Sequence, residues 1–105
     1  VTKDEEVTLA KAHGDLYLGQ HILKAKEKKA ARVRDRIAAR RELTDLASDL
    51  WVNLRVITRC DWKAVAKTAR RIAYLAEGFD AEEQVPNARA HVEKKQRVWD
   101  AVKPR

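Results

Sequence analysis

Five basic residues, Lys24, Lys28, Arg32, Arg36 and Arg40, recur at intervals of four. On a helix, side chains at that spacing are surface neighbours, so the pattern predicts a single ridge of like charge. Lys29, Arg34 and Arg41 add cations on adjacent faces. Four like-charged pairs in a row cost about 1–2 kcal/mol at low salt. A surface tuned for stability would interleave glutamates, yet only Glu27 and Asp35 lie nearby and neither sits in the row. A polyanion relieves the repulsion, and phosphates do so with release of counterions. The segment is long enough to lie in a DNA major groove or along an RNA backbone. It contains Arg but no Asn or Gln, so the expected contacts are to phosphate rather than to base edges. The candidate nucleic-acid-binding residues are therefore Lys24, Lys28, Lys29, Arg32, Arg34, Arg36, Arg40 and Arg41. The other reading of the segment is a solvated basic face or a dock for an acidic protein.

Other residues with chemical potential form weaker patterns. His13 and His21 stand two turns apart with Tyr17 between them, but no third metal donor and no Glu-x-x-His pair accompanies them. No metal is expected. Cys60 precedes a helix start, where a thiol pKa can fall, but no histidine is near it in sequence. Asp45 and Asp49 are one turn apart; paired carboxylates can do acid/base work, but on an exposed helix they serve solubility or pair with Arg, including that of another subunit. Trp51, Trp62 and Trp99 fall on apolar faces and read as core. Base stacking by them is disfavoured because they are remote in sequence from residues 24–41. No P-loop, Cys-x-x-Cys or nucleophile elbow is present. No enzyme activity and no cofactor are expected.

The charge balance is local. The 105 residues carry 23 Lys and Arg against 16 Asp and Glu, a net charge of +7. Residues 24–41 hold four Lys and five Arg against Glu27 and Asp35, which is the whole +7. Such asymmetry points to an acidic partner. The single cysteine forms no internal disulfide, no apolar run reaches the length of a membrane span, and the charged start lacks a signal-peptide centre. A cytoplasmic protein follows as the expectation. The absence of methionine implies an initiator removed or a first codon recorded as Val1, and the Ala/Arg richness suggests a bacterial or phage genome.

The elements that must hold these residues are helical. Only 3 Gly and 2 Pro punctuate a chain dominated by strong helix formers. Thr2 and Glu5 have capping-box spacing, so helix 1 is expected from about residue 4 to about 43. Leu9, Leu16, Leu23, Ala30 and Ile37 recur every seven residues along it; the companions Ala12, Gly19, Lys26, Val33 and Arg40 are mixed. That is half a coiled-coil pattern, suited to an antiparallel neighbour or to a homodimer. Helix 2 is expected to be capped by Asp45, with Leu46, Leu50, Trp51, Leu54 and Ile57 on one face and Arg55 and Arg59 near its end. Helix 3 starts after Asp61, with Trp62, Val65, Ala66, Ala69, Ile72, Ala73 and Ala76 on its apolar side, and is expected to stop at Gly78. A loop over 79–87 holds Pro86, with Asp80 and Glu83 available to cap a short turn. Helix 4 then runs from Asn87 to Val102, with Ala88, Val92, Lys95, Val98, Trp99 and Val102 on one side. The expected fold is all-α: one domain over residues 1–105, a long N-terminal helix packed with three shorter antiparallel helices as a bundle, and residues 24–41 exposed.

A basic stretch followed by Leu43, Leu50 and Ile57 superficially resembles basic-region leucine zippers. The Asn that marks that family's basic region is missing, and Asp61 and Gly78 break the zipper, so the assignment is rejected. Helices 2 and 3 with Lys63, Lys67, Arg70 and Arg71 offer a helix-turn-helix alternative, but the turn lacks Gly and is too short. The sequence thus favours a non-enzymatic accessory or regulatory protein that binds nucleic acid through a basic helix. Its rival is a structural or assembly subunit whose long helix docks on an acidic protein or on a second copy.

Overall fold

A computed structural model of the chain describes residues 2–55 and 60–104. The described residues are helical throughout, without strands: α1 (Lys3–Ala30), a 3₁₀ turn (Ala31–Val33), α2 (Arg36–Arg55) and α3 (Trp62–Val102). The chain divides into two compact units. The terminal unit comprises Val1–Lys28 and Glu82–Arg105, and the central unit Lys29–Ala81.

In the terminal unit, α1 starts where the sequence implies. The Glu5 amide donates to Thr2 Oγ1 at 3.2 Å, and Asp4, Glu5 and Glu6 occupy the first turn, where the helix dipole favours anions. Ala12, Leu16 and Gly19 are buried, while Leu9, Leu23 and Lys26 are half-buried. These six alternate at spacings of three and four, the period of a helix-pair seam. Val85, Ala88, Val92, Lys95, Trp99 and Val102 are half-buried on α3 with the same alternation. Contacts between the two segments run in opposite order. Lys26 Nζ donates to Gln84 Oε1 at 2.6 Å, Gly19 faces His91 and Val92, Lys95 Nζ lies 3.7 Å from Asp15, and the His13 ring meets Trp99 edge-on at 5.2 Å. Leu9, Leu16 and Leu23 of the seven-residue rhythm lie in this seam, whereas Ile37, its last member, is 69% exposed in the central unit.

The central unit is built around Val33 and Leu75, 0% and 1% exposed, with Ala39 and the flanking Leu43, Leu46 and Phe79. Here the expected long first helix is broken. After the 3₁₀ turn, Asp35 begins a new helix: its Oδ1 accepts the Ala38 N–H at 3.1 Å and its carbonyl the Ala39 N–H at 3.0 Å. A side-chain acceptor at that position satisfies an otherwise unpaired amide of the first turn and makes Asp35 an N-cap. Consequently α2 begins at Arg36, and Thr44 and Asp45, expected to be a boundary, lie inside it. Ile57 and Arg59 fall outside the described residues. Asp61 caps α3 as expected, its Oδ1 accepting the Lys63 and Ala64 amides at 3.1 and 3.2 Å.

The stop at Gly78 and the loop over 79–87 do not occur. α3 runs on for 41 residues with Pro86 inside it. Gly78 has no positive φ. Its missing side chain serves packing: a Cβ there would stand 3.0 Å from the Lys29 carbonyl and from Val33 Cγ1. Asp80 and Glu83 are mid-helix residues, not caps. Pro86 withholds one amide and crowds the preceding turn, but Val85 and Ala88, half-buried on either side, keep the helix docked.

Two tryptophans also depart from expectation. Trp51 and Trp62 are 63% and 68% exposed, and only Trp99 is half-buried. A bundle helix buries an apolar stripe at least 100° wide, whereas a paired helix buries only its narrow seam. Trp51 lies beside the seam residue Leu50, and Trp62 lies one residue past the cap Asp61. Ala66, Ala69, Ala73 and Ala76 are left exposed for the same reason.

The glycines separate these effects. No atom would meet a Cβ at Gly14, so Gly14→Ala should raise unfolding stability by about 1 kcal/mol through helix propensity. Gly78→Ala should lower it by about 1–3 kcal/mol through overpacking. Urea denaturation of the two variants checks both signs.

Candidate nucleic-acid interface

The central unit contains twelve Lys and Arg against seven Asp and Glu, leaving +5 of the chain's +7. The terminal unit, at +2, pairs Glu27 with Arg89 (3.6 Å), Asp15 with Lys95, and Asp100 with Lys103 (3.2 Å). The excess thus lies mainly with residues 29–81.

The eight candidate cations fall into three groups. Lys24 and Lys28 are exposed on the part of α1 that belongs to the terminal unit. Lys24 borders an open hollow of about 500 Å³ lined also by Tyr17, His21 and Glu27. Lys29, Arg34, Arg40 and Arg41 are exposed in the central unit, and their side chains make no ion pair or hydrogen bond among the described residues. Arg32 and Arg36 are different. Arg36 is engaged within the chain. Arg32 is half-buried, donates to the Tyr74 carbonyl at 3.2 Å and to Glu77 Oε2 at 3.1 Å, and lies 4.0 Å above the Tyr74 ring. One guanidinium thereby satisfies a carbonyl, a carboxylate and an aromatic face, the geometry for which Arg is suited. It ties the 3₁₀ turn to α3 and acts as scaffold. The expected single row of five is also interrupted, because the 3₁₀ turn and the bend at Arg34 and Asp35 separate Lys28 from Arg36.

Correcting the start of α2 brings together residues that the sequence reading kept apart. At about 100° per residue, Ile37, Arg40, Arg41, Thr44, Ala47, Ser48, Trp51 and Arg55 share one side of α2. All eight are exposed. The three acids of α2, Glu42, Asp45 and Asp49, are turned about 100° or more from the centre of that strip. Ile37, Arg40, Arg41, Thr44 and Asp45 line a shallow hollow of about 440 Å³. The Arg55 guanidinium lies 5.6 Å from the Trp51 ring. The signal for this face was legible only with Asp35 recognised as a cap, since the expected boundary at Thr44 cuts the strip in two.

The other side of the central unit holds a charged cluster of its own. Arg71 donates to both oxygens of Glu42, at 2.6 and 3.2 Å, and lies 5.0 Å from the Tyr74 ring. The two hydrogen bonds hold the Glu42 carboxyl below its ordinary pKa and raise that of Arg71. Lys67 and Arg70 border an apolar hollow of about 590 Å³ floored by Leu46 and Tyr74. Elsewhere, the Tyr17 and His21 rings are near-parallel with centroids 6.5 Å apart. Cys60 Sγ donates to the Asn53 carbonyl at 3.6 Å. No group of three His, Cys, Asp or Glu side chains converges among the described residues, and no described helix is long and apolar enough to cross a membrane.

No protein-family model matches the chain, no curated protein matches it, and no solved structure matches it.

The Glu42 pair gives a pH dependence with a defined sign. A carboxyl whose pKa is depressed by folding adds stability above its unfolded pKa and loses it as pH falls through the folded one. Glu42→Gln should therefore lower Tm at pH 7, and the gap from wild type should close as pH falls below about 4, the ordinary glutamate range. Melting curves at pH 7 and pH 3 measure the gap.

Proposed function

We propose that this chain is a non-enzymatic accessory or regulatory protein that binds nucleic acid by phosphate contacts through residues 24–41. The carrying observation is a set of exposed cations, Lys29, Arg34, Arg40 and Arg41, without a partner among the described residues and in a unit of charge +5. Lys24 and Lys28 precede them in sequence and carry the same charge. Arg32 enters this reading as scaffold, and Arg36 as a weaker contributor. In this view the helices of each unit pair in antiparallel order and leave the basic segment facing outward.

Phosphate contacts release counterions, so log affinity should fall steeply with log salt. The triple variant Arg34→Glu, Arg40→Glu, Arg41→Glu removes three such contacts without touching the Arg32 scaffold. It should bind more than tenfold more weakly at 0.1 M salt and reduce the salt slope by about 2–3. Equal affinity of variant and wild type at two salt concentrations would discard the reading.

A second reading is a structural or assembly subunit that meets an acidic protein or a second copy. It is favoured by Leu18 and Ile22, one turn apart on α1 and exposed at 57% and 42% in the terminal unit. Contiguous exposed apolar side chains mark interaction surfaces. If a second copy covers them, sedimentation should show a dimer that Leu18→Lys with Ile22→Lys dissolves. A wild-type monomer at all concentrations removes the self-association form.

A further inference from the structure

We infer that the exposed strip of α2 is a stacking site for single-stranded nucleic acid, with Trp51 as its platform. This rests on the phosphate-binding reading above and names its substrate class. Proteins that hold single strands combine a cationic track with aromatic faces on which bases stack. Both are present on one side of α2. Arg40 and Arg41 open the strip, Trp51 stands about 16 Å further along the helix, and Arg55 follows one turn later. That length spans a few nucleotides of an extended strand.

Three observations favour this occupant. First, the strip carries three arginines, and of the three acids of α2 only Asp45, one turn after Arg41, borders it, so its net charge complements a polyanion. Second, Trp51 is 63% exposed, and its nearest aromatic-face contact is the Arg55 guanidinium at 5.6 Å, which can move to a flanking phosphate. Third, a second exposed indole, Trp62 at 68%, lies in the first turn of α3 within the same unit. Between the cations and the indole lie Thr44, Ala47 and Ser48, small enough for a sugar–phosphate chain to lie close to the helix. Paired bases are already stacked on each other, so the platform favours unpaired strands.

The test is a titration followed by tryptophan fluorescence, with a 20-residue oligothymidylate and a 20-base-pair duplex as probes, at two salt concentrations. The single strand should bind more tightly than the duplex and quench the emission. Trp51→Ala should weaken single-strand binding about tenfold, leave duplex binding unchanged and leave the salt slope unchanged. Trp51→Phe, which keeps an aromatic face, should recover most of the loss. Trp51 is exposed, so circular dichroism of both variants should match wild type. If Trp51→Ala binds the single strand like wild type while the Arg34/Arg40/Arg41 variant fails, stacking is wrong and the phosphate reading stands. If neither probe binds at low salt, both readings fall together. If emission shifts with protein concentration alone, and sedimentation shows a dimer abolished by Trp51→Ala, the strip belongs to a second copy and the inference is overturned.

Discussion

Helix pairing across a narrow seam is the constraint from which the rest of the structure follows. Seam residues alternate at three and four along α1, from Leu9 through Ala12, Leu16, Gly19 and Leu23 to Lys26. Alanine and glycine at the companion positions draw the backbones together. Within the terminal unit, Gly19 would set a Cβ only 3.5 Å from His91 and Val92. Within the central unit, Gly78 lets the Lys29 carbonyl and Val33 approach so closely that even a Cβ would crowd them. Each unit then buries one stripe per helix. Residues one step off the stripe stay wet, which is why two tryptophans and a row of alanines remain on the surface.

The same constraint sorts the charges. A seam this thin cannot hold unsatisfied ions, and those at its border have partners: Lys95 pairs with Asp15, Arg32 pairs with Glu77, and Lys26 donates a hydrogen bond to Gln84. Exposed pairs of this kind contribute little each. Arg32 differs because its guanidinium meets three acceptors at once and is itself half-buried. Arginines on the far side of α2 have no such role in the fold. A regular spacing of cations in sequence thus conceals two kinds of residue, one that holds the turn to α3 and one that faces outward.

Features with a local cause were legible in the sequence. Thr2 and Asp61 as caps, the all-helical content and the seven-residue rhythm depend on neighbours a few positions away. What stayed hidden depends on residues far off in the chain. Asp35 sits among alanines and arginines that propagate a helix well, and only the packing of Val33 against Leu75 selects the break there. Gly78 reads as a helix end until Lys29 and Val33 are beside it. Pro86 reads as a loop until the seam on both sides of it holds α3 in place. Trp51 and Trp62 read as core because an apolar face was measured against a bundle rather than against a pair. The basic segment was recognised as a whole, but its division into scaffold and free cations required Tyr74 and Glu77, more than forty residues away.

The outward strip of α2 is costly by ordinary surface rules. A glutamate at position 44 would pair with Arg40 one turn before it, and one at position 51 would pair with Arg55 one turn after it. Each such pair adds about 0.2–0.5 kcal/mol to a helix. The chain instead places threonine at the first position and an exposed tryptophan at the second, and of its three acids only Asp45 borders the strip. An aromatic side chain also has weaker helix propensity than glutamate. Neither choice is rewarded inside the pair, since neither residue touches the seam. A surface that sets three arginines against one bordering acid and keeps an indole in water has the composition of a contact face.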